Sequence, residues 1–163
     1  MGEGGKTGKC KEDWMKATLG IDPGKNGAIA CISEHGIFSE TFKEESIASV
    51  IREMAGTQYG TDLICYIEKV NAFPGQGVSS CFAFGKAYGE AIGALEALAI
   101  PYRLVTPQAW QKTILGLPRK KDGATAHKRA LKLEAARRFP KAKPTLADCD
   151  ALLIAEYGHR DRT

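Results

Sequence analysis

A chain of 163 residues, 44% hydrophobic and 26% charged, has the material for one well-packed domain and not for two of ordinary size. No apolar run approaches the roughly 20 residues of a membrane span, and five cysteines, an odd number without CxxC spacing, exclude a disulfide framework and a cysteine zinc site. The net charge of +4 is unevenly spread: residues 119–143 carry ten basic and two acidic side chains, so that segment is +8 and the remainder −4.

Residues 1–16 are polar, glycine-rich and basic, which predicts a disordered leader ahead of a single domain over 17–160. Cys31, Cys65, Cys81 and Cys149 lie in or beside apolar stretches and read, with Cys10, as reduced thiols of an intracellular, reducing compartment. Residues 17–22, 27–33 and 37–42 then read as three short strands of an antiparallel meander. The first ends in Asp22, ahead of the turn Pro23-Gly24-Lys25-Asn26-Gly27. Gly24 and Gly27 are expected at positive φ, leaving space beside a carboxylate exposed at a rigid edge. An Asp before Pro-Gly is also ordinary turn chemistry, so Asp22 by itself decides nothing.

Ile47, Val50, Ile51 and Met54 recur at helical spacing behind a capping Ser46. Residues 62–68, DLICYIE, read as a central strand buried on both faces and ending in Glu68. The Gly- and Pro-rich loop that follows carries Phe73, which either wedges between bases or packs back on the domain; Asn71, Gln76, Ser79 and Ser80 are candidate base readers. A helix over 78–98 repeats Gly85, Gly89 and Gly93 on one face. Each costs about 1 kcal/mol against alanine, which predicts close approach of another backbone or a dimer contact. A strand over 101–105 leads to Thr106-Pro107, a cap with proline at the first helical position, and Trp110 reads as core.

The basic segment opens with Arg119, Lys120 and Lys121 and continues as a helix over 125–139, on which Lys128, Arg129 and Lys132 fall within one turn. Such a cluster is either a polyanion-binding surface, which a nucleic acid would fill, or a solvated helix face. His127 reads as a proton carrier or, the commoner case, a solvated surface histidine. The last helix, over 145–158, bears Asp148 and Asp150 near its start. Two residues apart on a helix diverge by about 200°, so both cannot serve one metal site if both are helical. Asp148 stands at capping-box distance from Thr145, and Asp150 sits among apolar neighbours, where an unpaired carboxylate is costly. Asp150 therefore ranks above Asp148 as a ligand. Asp22, Glu68 and Asp150, oxygen donors without Cys or His, favour Mg²⁺ or Mn²⁺, and several carboxylates can hold two such ions about 4 Å apart for hydrolysis at phosphorus.

The GIDPG strand end, the IEKV strand end with its aromatic-bearing loop and the final DALLIAEYG helix, in that order, resemble the RuvC family of Holliday junction resolvases, and most nearly its phage and organellar branch, chloroplast resolvases included. The resemblance covers residues 19–158. It implies an α/β, RNase H-like fold with a five-stranded mixed sheet flanked by helices, and a homodimer acting on a four-way DNA junction. Mg²⁺-dependent hydrolysis would leave 5′-phosphate and 3′-hydroxyl ends, in a bacterial or phage-host cytoplasm or an organelle nucleoid. Carried over by position, Asp22, Glu68 and Asp150 match the family's acids, Phe73 lies in the loop where the family often carries its junction-contacting aromatic, and Lys112 and Lys128 fall near its basic positions. The bacterial members' further aspartate is replaced here by Ala147, and Asp148 lies one position away, so the fourth ligand is Asp148, water or another group. A non-catalytic module that binds branched DNA and a general single-strand or RNA nuclease of the same fold remain alternatives. A sugar-kinase or actin-like hairpin would need a second domain that 163 residues do not hold.

Overall fold

Alternating side chains divide the apolar residues of the central strands between two faces of one sheet, and helices cover each face. The computed structural model describes residues 16–162 apart from 25, 44, 59, 60, 72–74, 76, 115, 120 and 122, so nearly all of the expected leader lies outside the described residues. The strands are β1 (Lys16–Asp22), β2 (Ala28–Ser33), β3 (Gly36–Thr41), β4 (Asp62–Glu68) and β5 (Tyr102–Val105). They form one sheet in the order β3-β2-β1-β4-β5. β1 pairs antiparallel with β2 and parallel with β4, β2 antiparallel with β3, and β4 parallel with β5, which is the mixed sheet expected.

On one face Leu19, Ile21, Ile29, Cys31, Cys65 and Ile67 meet helices α1 (Ile47–Gly56) and α2 (Val78–Ala97). On the other lie α3 (Pro107–Gln111), α4 (Ala124–Arg138) and α5 (Cys149–Asp161). There Tyr66 packs with Trp110, Leu131 and Leu153, while Ala28 and Ala30 pack with Ala151, Leu152 and Ala155. The predicted caps form: Ser46 accepts from the Ser49 N–H, and Thr106 from the Ala109 N–H with Pro107 at the first turn. No helix among the described residues is long and apolar enough to cross a membrane.

Glycine sets how closely α5 lies on the sheet. A Cβ on Gly20 would stand 2.3 Å from Ala151 O and from Ala155 N, so the α5 backbone rests directly on β1. A Cβ on Gly158 would enter the Tyr66 ring at 2.2 Å. These contacts allow no side chain, which is why a helix can be held so near the strand that ends in Asp22.

Four expectations need correction. Gly24 and Gly27 do not take positive φ; Gly27 is required because a Cβ there would lie 2.0 Å from Asp22 O, a close backbone approach rather than a special dihedral. Gly85, Gly89 and Gly93 have nothing within 4 Å of a built Cβ, so no part of the described fold approaches that face of α2. The last helix begins at Cys149, not residue 145, because Asp148 turns back to bond the Thr145 N–H and hydroxyl and holds residues 146–148 as turns. His127 is 7% exposed, with Nδ1 2.6 Å from Pro118 O, so it ties α4 to the preceding loop instead of meeting solvent.

Candidate active site

The register of β1 on β4 runs to Ile21 opposite Ile67, which brings Asp22 and Glu68 side by side at the carboxyl ends of two parallel strands. Strand alternation turns both toward the face that carries α5, since Tyr66, two residues before Glu68, packs there. Asp150 stands in the first turn of α5, the helix that Gly20 admits onto β1. Three acids distant in sequence are thus gathered by one register and one helix contact.

Their electrostatics show the crowding. Glu68 is pushed up to about 7, first by burial and then by the negative charges of Asp22 and Asp150, against the opposing pull of the Trp110 indole N–H and the Lys128 ammonium. The Trp110 Nε1–H donates to Glu68 Oε1 at 3.0 Å. Lys128, from α4, reaches the same cluster with Nζ 2.6 Å from Asp150 Oδ2. Burial opposes its charge, but Asp150 outweighs burial and holds the ammonium above the ordinary lysine range.

A proton-linked stability follows. A carboxyl whose pKa is higher folded than unfolded binds its proton more tightly in the native state, so folding favours the protonated form. That contribution is present below the unfolded value of 4.5 and is lost as pH rises through about 7. In EDTA, unfolding free energy should therefore fall between pH 5 and pH 8 by an amount on the order of 3 kcal/mol at most. Denaturant titrations at both pH values check it, and Glu68→Gln should flatten the difference; an equal slope in that variant would assign the effect elsewhere.

Among the described residues no three His, Cys, Asp or Glu side chains already stand at metal-ligand spacing. The donor set nonetheless fits a hard divalent cation: it is all oxygen, and it gathers acids whose mutual repulsion raises Glu68. Asp22, Glu68 and Asp150 are the residues that would hold such an ion.

No protein-family model and no curated protein matches the sequence. Solved structures do match. The RuvC of Thermus thermophilus in complex with a Holliday junction substrate superposes with a TM-score of 0.60 at 16% identity, over 91% of this chain and 97% of that one. A second Thermus thermophilus RuvC structure gives 0.52 at 14% identity, over 90% and 97%. This is a RuvC-like fold.

On the RuvC-like scaffold the remaining predicted residues separate into two groups. Asp148 is 7% exposed, and its carboxylate is engaged by Thr145 through Oδ1 at 2.6 and 2.7 Å and by the Ser39 hydroxyl through Oδ2 at 2.7 Å. It joins the start of α5 to β3. Lys112, Arg119, Lys121, Arg129 and Lys132 are exposed, as are Asn71, Ser79 and Ser80. Phe73, Gln76 and Lys120 lie outside the described residues. The basic segment is not uniformly available to a polyanion, because Arg138 is bound by Glu134 and Glu156, and Arg137 by Glu134. The Arg137 hydrogen bond first, then the hydrogen bond and charge of Arg138, hold Glu134 down at about 2 against the opposing effect of burial.

Two participants escape a reading of the sequence. Trp110 reads correctly as core, 1% exposed, but its hydrogen bond to Glu68 depends on where α3 lies against β4. Lys128 reads as a surface cation, and its pairing with Asp150 depends on the packing of α4 on α5.

Proposed function

We propose that this chain is a divalent-metal-dependent endonuclease that resolves four-way DNA junctions as a homodimer, by paired symmetrical nicks leaving 5′-phosphate and 3′-hydroxyl ends. The observation that carries this reading is the gathering of Asp22, Glu68 and Asp150 on one face of a RuvC-like sheet, beside the basic helix α4. Bound Mg²⁺ or Mn²⁺ would activate water and stabilise the leaving oxygen. The chain's own part is to hold those ions with three carboxylates and to meet phosphates with Lys112, Arg119, Lys120, Lys121, Lys128, Arg129 and Lys132. Asp148, bound to Thr145 and Ser39, is a structural residue in this reading.

Cleavage of a synthetic immobile junction with and without Mg²⁺, beside linear duplex, single-stranded DNA and RNA, tests the proposal. Paired nicks on the junction alone, absent in EDTA, support it. Binding without cleavage in Mg²⁺ or Mn²⁺ would replace it with a structural junction-binding module, and cutting of every substrate with a general nuclease of the same fold.

Electrostatic docking has its own signature. Lys132→Ala, at an exposed position on α4, should weaken junction binding and lower the slope of log K against log salt by about one. An unchanged slope would show that Lys132 meets no phosphate.

The homodimer is supported by α2. Its outer face presents Val78 at 86% exposure, Phe82 at 75%, and Gly85, Gly89 and Gly93 with open space above each. Glycines kept in a helix against a cost of about 1 kcal/mol each suit close packing by a second copy. Gly89→Ala is the discriminating variant. On an uncovered helix it stabilises the monomer, whereas in a glycine seam it weakens association; sedimentation at several concentrations should show the second result.

Membership of the phage and organellar branch is proposed on the residues that carry the resemblance, with Ala147 in place of the bacterial aspartate. An intracellular, reducing compartment suits the buried free thiols: burial pushes Cys31 up to about 11 and Cys149 up to about 12.

A further inference from the structure

The indole of Trp110 does more than its place in the core requires. It is 1% exposed and packs with Tyr66, Val105, Ile114 and Leu131, a setting that an apolar ring without a polar atom would also fill. A buried indole N–H needs an acceptor, and this one finds Glu68 Oε1 at 3.0 Å.

The backbone makes that contact specific. Glu68 is paired with Val105 at the end of β5, and the Lys69 N–H donates to Val105 O at 2.7 Å. The chain then turns at once into α3, whose start is set by the Thr106 cap and by Pro107. The segment that grips the Glu68 backbone therefore delivers, five residues later, the N–H that grips its side chain. With Oε1 engaged by the indole, rotation of the carboxylate is restrained, which leaves Oε2 as the second oxygen that Glu68 can offer to a ligand.

We propose that Trp110 is a positioning residue: its indole N–H fixes Glu68 Oε1, and so presents the second carboxylate oxygen to a divalent cation held jointly with Asp22 and Asp150. This rests on the reading of Glu68 as a metal ligand. Hydrogen bonds that orient ligating carboxylates typically change metal affinity by about 10- to 100-fold when removed. The loss here should be near the lower figure, since packing still confines the side chain.

The test uses the full chain, with Trp110→Phe and, to keep the ring volume, a protein whose Trp110 indole is replaced by the benzothiophene isostere that lacks the N–H. Mn²⁺ binding is measured by electron paramagnetic resonance, and junction binding separately in EDTA. Both changes should weaken Mn²⁺ binding about tenfold and leave junction affinity in EDTA unaltered. The indole Nε1–H resonance, distinguished from that of Trp14 by Trp14→Phe, should move in Glu68→Ala and on adding Mg²⁺.

Unchanged Mn²⁺ affinity in the isostere protein would overturn the proposal. So would a parallel loss of junction affinity in EDTA, which marks a merely structural side chain. If the unaltered protein binds no Mn²⁺, the metal reading itself fails and the inference falls with it, whereas normal Mn²⁺ binding with an indifferent isostere removes Trp110 alone.

Discussion

Asp22→Asn, Glu68→Gln and Asp150→Asn should each reduce single-turnover junction cleavage by 10²–10³-fold or more, on the order of what is lost when one group stabilising a charged transition state is removed. Junction binding in EDTA should survive, because it comes from Lys and Arg meeting phosphates and these substitutions delete only negative charge. Asp150→Asn should bind slightly more tightly than the parent, since it releases the Lys128 ammonium now held 2.6 Å from Asp150 Oδ2. Asp148→Asn is the internal control. Its carboxylate serves Thr145 and Ser39, and an amide keeps one acceptor for them, so cleavage and its metal requirement should be retained with a modest loss of stability. Full activity in any of the first three would remove that residue from the site, and a raised metal requirement in Asp148→Asn would add Asp148 to it.

Gly20→Ala should be the most damaging small substitution in the sheet. Its Cβ would lie 2.3 Å from Ala151 O and Ala155 N, both backbone atoms of α5 that no rotamer change can move aside. Overpacking of this kind costs about 3 kcal/mol, or roughly 6–12 °C in Tm at this chain length. The damage should also reach the site, because α5 carries Asp150 and a helix lifted from β1 takes that carboxylate away from Asp22 and Glu68. Gly24→Ala is the matched comparison. Its Cβ would meet Gly27 N and the Phe84 ring no nearer than 3.7 Å, an ordinary contact, so thermal unfolding should be nearly unchanged. Equal Tm losses in the two variants would mean that the α5 contact does not set the strand–helix distance.

Much of the fold was legible locally. The two short apolar runs on either side of the turn at residues 23–27, and the longer run of residues 62–68, identify strands because strands covered on both faces read as continuous apolar stretches bounded by turn residues. Ser46, and Thr106 with Pro107, mark helix starts because their side chains or missing N–H groups answer unsatisfied first-turn donors. The acids at the ends of β1 and β4 are visible for the same reason, since an apolar run that stops at a carboxylate has reached an edge of the core.

What misled was equally physical. The glycines of α2 suggested close approach by another backbone or a second copy, yet no part of the described fold covers their face, so propensity alone indicated an interaction without its partner. Gly27 suggested unusual dihedrals, while its constraint is the nearness of Asp22 O, a contact made across the turn. His127 looked solvent-facing among basic neighbours and is buried against Pro118, because one face of α4 is turned inward wherever its charges point.

The sequence by itself determined the five strands, the helices that cover them, the acids Asp22, Glu68 and Asp150, and the basic stretch that follows, because these depend on periodicity, capping and charge along the chain. Only the tertiary structure decided which charges meet: Lys128 with Asp150, Trp110 with Glu68, Asp148 with Ser39 rather than with the other acids, and Arg138 with Glu156 rather than with a polyanion. Hydrogen bonds and ion pairs act over a few ångströms. Their partners are therefore set by how closely α3, α4 and α5 pack on the sheet, a distance that positions such as Gly20 allow and that no local pattern in the chain records.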